Sequence, residues 1–439
     1  MLRGIGFAVF GYREYRLFWI AAAFSNVGMW TLVYGRLWLM RTLTDSEILL
    51  GSVTAATMAP VMIFSVWGGV VADTVNRLRL LRFTRFLFAL AGLVTAVLIA
   101  AKVIEAWHLL AISAVTGVML AFDIPTRGAM VASLVPREHL PSALSLYSVV
   151  FGGAAILGPS LFHPLVSVVG MEGLFFIVSA SYVLTVVTLM RMDHSLHEVG
   201  THPEPPLDLP LSRGRDKDRG RGDSVSEVGV AKDGGSSKLR ARVRDMVDGL
   251  KYVRRETAIA ALIGYGVVIG IVATPFETLL PVVTQEVYKG DTETYGRFLL
   301  AVGIGGLIAT FTITLIGARA KPPLYVAIGG VAIGLCYVAF GAVDIFLIAV
   351  GIAGFVGALG VVKGTMSTTV VQTLVTDKFR GRVMSLMNFT WGAQAVGALF
   401  MGALAQLWGA PFAFGVAGVM AVLATVGVWS VALRRRSSR

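Results

Sequence analysis

Charge is scarce in this sequence, and cysteine is almost absent. Charged residues are 15% of the 439 and hydrophobic ones 56%, a balance that excludes an ordinary soluble globular domain. With one cysteine, Cys336, neither an intramolecular disulfide nor a cysteine metal cluster can form. His108, His139 and His163 fall near the ends of apolar runs and make no metal-binding spacing, so no metal and no cofactor are expected. There is no phosphate-binding G-x-x-x-x-G-K-[ST] loop, which argues against an ATP-driven pump. Within the apolar runs no nucleophile stands beside a base, so an enzyme is not expected either. No cleavable signal peptide is evident, because polar and aromatic residues precede the first long apolar run.

What the chain does have is long apolar runs, continuous rather than alternating. A helix crossing hydrocarbon needs about 20 such residues, since the bilayer offers no partner for an unpaired backbone group. Alternation would have indicated a barrel. The runs predict spans near 17–40, 48–72, 82–101, 107–127, 143–168 and 173–191, then 258–285, 295–317, 323–343, 345–371, 383–405 and 411–433. The expected fold is therefore all-α and integral to the membrane, with twelve transmembrane helices. Two six-helix bundles follow, at 1–192 and 257–439.

The net charge of +12 is unevenly placed. If both termini are cytoplasmic, that side holds Arg3, Arg13, Arg16, the cluster Arg77, Arg79, Arg82 and Arg85, then Lys378, Arg380, Arg382 and Arg434 to Arg436. The other side keeps Arg41, Lys102, Lys289 and Arg297. Lys and Arg collect in cytoplasmic loops, so the charge reads as topology rather than as nucleic-acid binding. The expected location is a prokaryotic inner membrane, with lipid around a monomer.

Residues 193–237 are rich in proline and charge, as in the run RGRDKDRGRGD from Arg213, and predict a disordered cytoplasmic linker. Beyond it Leu239, Val243, Met246, Val247, Leu250 and Val253 recur at helical spacing among arginines and lysines, with Ser237 as a cap. This predicts an amphipathic cytoplasmic helix over 238–256, lying on the inner membrane face. The halves also repeat. An offset of 240 residues pairs Val131 with Val371, Leu134 with Leu374, Val135 with Val375, Ser145 with Ser385, Leu146 with Leu386 and Gly152 with Gly392. Duplicated halves that rock about a central site are a transporter architecture.

Local motifs point the same way. Residues 69–77, with Gly69, Asp73 and Arg77, resemble the G-x-L-A-D-R-x-G-R signature of the major facilitator superfamily, with Thr74 and Asn76 departing from it. The resemblance implies that Asp73 latches the two bundles on the cytoplasmic side. The runs Phe122 to Arg127, Leu134 to Leu140, Gly158-Pro159, Asp248 to Arg254, Leu279 to Pro281 and Arg380 to Val383 resemble the branch that includes the enterobactin exporter. Export of a small molecule is what that branch implies. Exporters of the superfamily often carry a G-x-x-x-G-P element in helix five. Here Gly158 and Pro159 are present, Ala154 stands for the first glycine, and Gly152 and Gly153 are expected to restore the close packing.

An ionisable group inside a span is costly, roughly 2.5 to 3.5 kcal/mol on insertion scales, and is a functional candidate by default. Arg36, Asp123, Glu277 and Lys363 are such groups. In the family their helices line the central cavity. The repeat sets Asp123 opposite Lys363 and Arg36 within one residue of the counterpart of Glu277. This predicts two alternating gates, Arg36 with Glu277 in the outer half and Asp123 with Lys363 in the inner half. Asp123 can equally bridge to Arg127 one turn away. Glu277 follows Pro275, where the helix should break, and is the leading proton carrier, with Asp123 the alternate. H+ is thus the expected coupling ion of an antiporter.

Asn26, Trp30, Tyr34, Thr365, Thr368, Gln372, Asn388, Trp391 and Gln394 are candidates to line the cavity, interhelical hydrogen bonding being the alternative for the polar ones. Trp38 reads as an interface anchor. The sequence as a whole predicts proton-coupled efflux of an amphipathic small molecule such as a drug, siderophore or secreted metabolite. A lipid or lysolipid flippase, and a membrane sensor without flux, are the alternatives.

Overall fold

Backbone amides that cannot reach water must bond within their own segment, and the chain answers with helices throughout. The computed structural model describes residues 8–193, 251–254, 256–273, 275–316, 322–375 and 377–436. The first half contains α1 (Arg13–Leu43), α2 (Glu47–Thr74), α3 (Arg77–Ala100), α4 (Ala106–Ser133), α5 (Leu140–Ser160) and α6 (Phe162–Met190). The second contains α7 (Thr257–Ala273), α8 (Pro275–Glu286), α9 (Thr292–Ile316), α10 (Pro322–Ala342), α11 (Phe346–Leu374), α12 (Asp377–Trp408) and α13 (Ala410–Arg436). Because α7 and α8 share one pass, the described helices make twelve passes in two bundles, eleven of them long and apolar enough to cross a membrane.

Short polar caps set the turns between passes. The Ser46 side chain accepts from Leu49 N at the head of α2, and Asn76 accepts from Arg79 N at the head of α3. Glu105 and His108 cap α4 reciprocally. Such oxygens satisfy amides that have no partner in the first turn. The predicted break in the seventh span lies between Ala273 and Pro275, and the proline opens α8, a position where its missing N–H costs nothing. The boundary between passes five and six is less abrupt than the helix limits indicate. Leu161 N bonds Leu157 O and Leu165 N bonds Leu161 O, so the ladder runs on from α5 into α6. The backbone turns instead at Gly170, with φ 73°, a conformation open to glycine without a Cβ clash. This agrees with the predicted gap between 168 and 173.

The two bundles pair their helices alike. α2 packs on α4, α3 on α6 and α1 on α5 and α6; correspondingly α9 packs on α11, α10 on α13 and α7 on α12 and α13. Gly117 and Gly357, 240 residues apart, occupy equivalent close approaches: a Cβ on either would overlap the carbonyl of Thr57 or of Val302. At the face bearing the termini each bundle has its own apolar cluster. Val131, Val135 and Ala143 pack with Tyr12 and Tyr15, and their repeat mates Val371, Val375 and Val383 pack with Val253 and Ile259.

One larger cluster draws on both bundles. Toward the face away from the termini α2 crosses α12, and α5 crosses α9. Gly51 lies against Ala398, Gly402 against Glu47, Gly303 against Ile156 and Gly296 against His163; Gly392 meets Met62 nearer mid-level. These described contacts close the molecule on the side opposite its termini. Toward the termini α2 leaves Ile63, Phe64 and Trp67 exposed.

The 194–237 part of the linker and most of the 238–256 helix lie outside the described residues; residues 251–254 are helical. Gly152 and Gly153 do not serve the expected packing role, because a Cβ on either would meet nothing within 4 Å. Gly158 alone makes the close approach, with a Cβ there falling 2.6 Å from Trp30 Cβ and 2.9 Å from Val27 O. Pro159 is buried beside it.

Candidate functional site

At the level of the outer halves of α1 and α8, Glu277 sits deep within the protein, yet its surface is exposed. A side chain that is both deep and exposed opens onto an internal cavity. The residue lies in the first turn of α8, just past the break, where the helix end favours a carboxylate. Tyr34 of α1 lies beside it, across the boundary between the bundles. Lys363 of α11 is its nearest cationic influence, and Tyr295 and Tyr337 also lie within its field. Trp30 stacks on Tyr34 at 6.2 Å and meets the edge of Phe151 at 6.1 Å. Its indole Nε1 is buried without a partner among the described residues. A carboxylate, an ammonium and a set of aromatic faces thus share one space, which fits a ligand with apolar bulk and a charged or strongly polar group.

Immediately beyond this space the bundles are locked together. Trp38, predicted as an interface anchor, is instead buried and stacks on Tyr295 at 5.0 Å, with Phe162 at its edge. The ring belongs to the seal between bundles because α1 and α9 converge there. Arg41, counted in the sequence as a loop charge, is also buried. It pairs with Glu286 at 2.7 Å, lies 3.7 Å from Glu47 and bonds Gln285 at 3.0 Å. Ser46 Oγ and the Glu47 amide each donate to Gln406 Oε1 at 3.0 Å, and Thr54 meets Thr278 at 3.2 Å.

The predicted gate pairs take different partners. In this state, closed on the far side, Arg36 points into its own bundle and donates to Thr116 at 2.8 Å and Ser113 at 3.2 Å. Arg36 and Tyr34 differ by two positions, about 200° around a helix, so only Tyr34 can face Glu277. Asp123 likewise turns inward. It lies 2.7 Å from Arg127 Nε and 3.1 Å from Arg85 Nη2, and accepts from Thr84 at 3.2 Å. Lys363 shares the field of Glu277 rather than that of Asp123.

Asn26 is also turned inward: its amide donates to Ala22 O at 2.7 Å and its carbonyl accepts from Arg127 at 3.0 Å. Thr365 is exposed, and Gln394 is half-buried. Thr368 donates to Gly364 O at 2.9 Å. The side chains of Gln372, Asn388 and Trp391 lie outside the described residues, as does that of Asp73. Gly69 is buried, and Arg77 reaches Ala129 O at 3.5 Å within its own bundle.

Two features escaped the sequence reading. Arg41 with Glu286 sat at span ends, where charge is ordinarily solvated. Arg85 was grouped with a basic cluster, yet Leu78, Leu81, Arg85, Phe88 and Gly92 are all buried on α3. That spacing of three and four marks one helix face and was a usable signal.

A family model for the Major Facilitator Superfamily matches residues 18–393. Over 412 residues the chain is 24% identical to the staphyloferrin A transporter of Staphylococcus aureus, covering 91% of each. It is 22% identical over 377 residues to YfiS, an uncharacterized MFS-type transporter of Bacillus subtilis, covering 83% of this chain and 80% of that one. Among solved structures it is similar to a bacterial homologue of the lysosomal transporter Spinster, inward-facing and unoccupied, with TM-score 0.66, 12% identity and coverage of 95% and 96%. The nucleoside transporter NupG matches at TM-score 0.66 and 11% identity, with coverage of 95% and 98%.

Proposed function

The chain belongs to the Major Facilitator Superfamily, and from that premise we propose that it exports an amphipathic small molecule of the siderophore, drug or secreted-metabolite kind in exchange for protons. The termini are cytoplasmic in this reading, in a prokaryotic inner membrane, and the state described above is inward-open. The observation that carries the proposal is Glu277, exposed at the cavity's far end between Tyr34 of one bundle and Lys363 of the other. A carboxyl group so placed exchanges protons with cavity water and, as it does so, changes the charge that faces Tyr34 across the two bundles. Protonation, substrate occupancy and closure then act on one group. The staphyloferrin A transporter among the relatives supports a siderophore-like substrate.

Reconstitution into proteoliposomes with an imposed pH gradient tests this. Wild type should drive substrate against its gradient, whereas Glu277→Gln should lose pH-driven flux and keep exchange of substrate down its own gradient. Full proton-driven transport by that variant overturns the role of Glu277. The opposite charges of Glu277 and Lys363 also suit a zwitterionic lipid head group, so labelled lysolipid is run beside organic cations and iron-free siderophores. Flux of lysolipid alone would replace the export reading with lipid translocation.

A further inference from the structure

The interior of the N-terminal bundle is electrically unbalanced. Arg36, Arg85 and Arg127 are 3%, 2% and 5% exposed, and the carboxylate among them, Asp123, is 0% exposed. Asp123 Oδ2 serves both Arg85 and Arg127. Arg36 meets neutral acceptors, the hydroxyls of Ser113 and Thr116 and the carbonyl of Leu32. Two buried positive charges therefore lack an anion among the described residues.

Beside this cluster α1, α3, α4 and α6 leave a small pocket with room for about one water-sized occupant, lined by Arg85, Arg127, Ala22, Ser25, Leu81 and Thr185, among others. The two hydroxyls in the lining are already spent. Ser25 donates to Ala21 O at 2.8 Å, and Thr185 donates to Ser181 O at 2.8 Å. The guanidiniums are not. Among the described residues Arg85 donates to Asp123 alone, while the rings of Phe88 and Tyr182, 5.9 and 5.8 Å from its Cζ, hold it in place. Arg127 gives Nη1 to Asn26 and Tyr147, and its Nε faces Asp123. Each guanidinium has five N–H donors. Water in the cavity would accept some of these bonds and leave the charge uncompensated, whereas an anion answers both needs.

We propose that this cavity is a binding site for a small monovalent inorganic anion of about the size of chloride, held by Arg85 and Arg127. It is separate from the cavity around Glu277 and does not depend on the transport reading. The anion is a resident counter-charge that lets three arginines share the core of one bundle.

The test uses the full-length protein in detergent, with thermal stability followed in sodium chloride, sodium bromide or sodium gluconate at equal ionic strength. Chloride and bromide should raise Tm by a few degrees and saturate, as ligands of the folded state do, whereas gluconate is too large to enter. Arg85→Gln leaves Asp123 paired with Arg127 and should lose at least half of the chloride-specific rise. Ala22→Val fills the cavity without touching a charge and should lose it as well. Equal Tm in chloride and gluconate at every concentration overturns the site, as does a rise retained in both variants. Should Arg85→Gln not fold, the anomalous signal of bromide in crystals decides: a peak beside Arg85 supports the proposal, and water alone in the cavity overturns it.

Discussion

Arg41 shows how much a single side chain can decide when water is nearly excluded around it. Its side chain is 6% exposed and gathers Glu286 and Gln285 from α8 and Glu47 from α2, with the Glu286 end 41% exposed. Attraction across such a pair exceeds that of a surface bridge and is still partly screened at its open end. Arg41→Ala should therefore move the equilibrium toward opening on the far side by about 1 kcal/mol, roughly fivefold in population. Spin labels at Lys102 and Lys289, exposed turns of different bundles on that side, would report a larger long-distance fraction; an unchanged distribution would remove Arg41 from the seal.

Between helices the decisive atoms are hydrogens on glycine. Gly117 and Gly357 let α4 and α11 approach α2 and α9 until backbone meets backbone. Overpacking costs typically about 1 to 3 kcal/mol, so Gly117→Val and Gly357→Val should each lower Tm by similar amounts. Gly152→Ala, at a position with nothing within 4 Å, should instead hold or raise Tm, since alanine is the better helix former. A thermal melt of the three variants checks the pattern, and equal losses in all three would contradict it. The head of α9 supplies a pH-dependent case. Asp291 accepts from the amides of Thr294 at 3.2 Å and Glu293 at 3.0 Å, and these bonds hold its carboxyl below the usual aspartate range. The stabilisation is complete above the ordinary aspartate pKa and fades as pH falls through the lowered one. Asp291→Ala should lose about 0.5 to 1 kcal/mol at neutral pH and little in acid, and Asp291→Asn should keep the cap without the pH dependence; melts at two pH values separate them.

Helices were readable because apolar length is a property of the sequence alone, and the repeat was readable because Val131, Val135 and Ala143 carry the same packing as Val371, Val375 and Val383. Which face each side chain takes was harder. Arg36, Asn26 and Asp123 were placed in the cavity for being polar in a span, but their rotation about the helix axis turns them into their own bundle. Glu277 was legible through Pro275, yet its partner Tyr34 comes from the other half of the chain, and no local pattern joins residues so far apart. Trp38 and Arg41 sit where spans end, and only the convergence of the two bundles makes that end an interior.

At the scale of the whole molecule the described residues join the two bundles at one face, the one away from the termini. In that arrangement Thr365, exposed on α11, should be reachable by water from the face of the termini alone. Thr365→Cys in a Cys336→Ser background should react with a membrane-impermeant maleimide added to inside-out vesicles and stay protected in right-side-out ones. Labelling from both sides, or from the other one, would refute either the closure or the orientation.

Joining at one face also makes each bundle a lever. On α2 the contact with Ala398 is at Gly51 and the free end is at Thr74. At 1.5 Å per residue these lie about 35 Å apart, so a tilt of about 10° at the joint sweeps the free end through about 6 Å. Rearrangements the size of a side-chain rotamer near Arg41 and Trp38 are in this way geared up to the width of a small molecule at the opposite mouth, and the length of the helices sets that gearing.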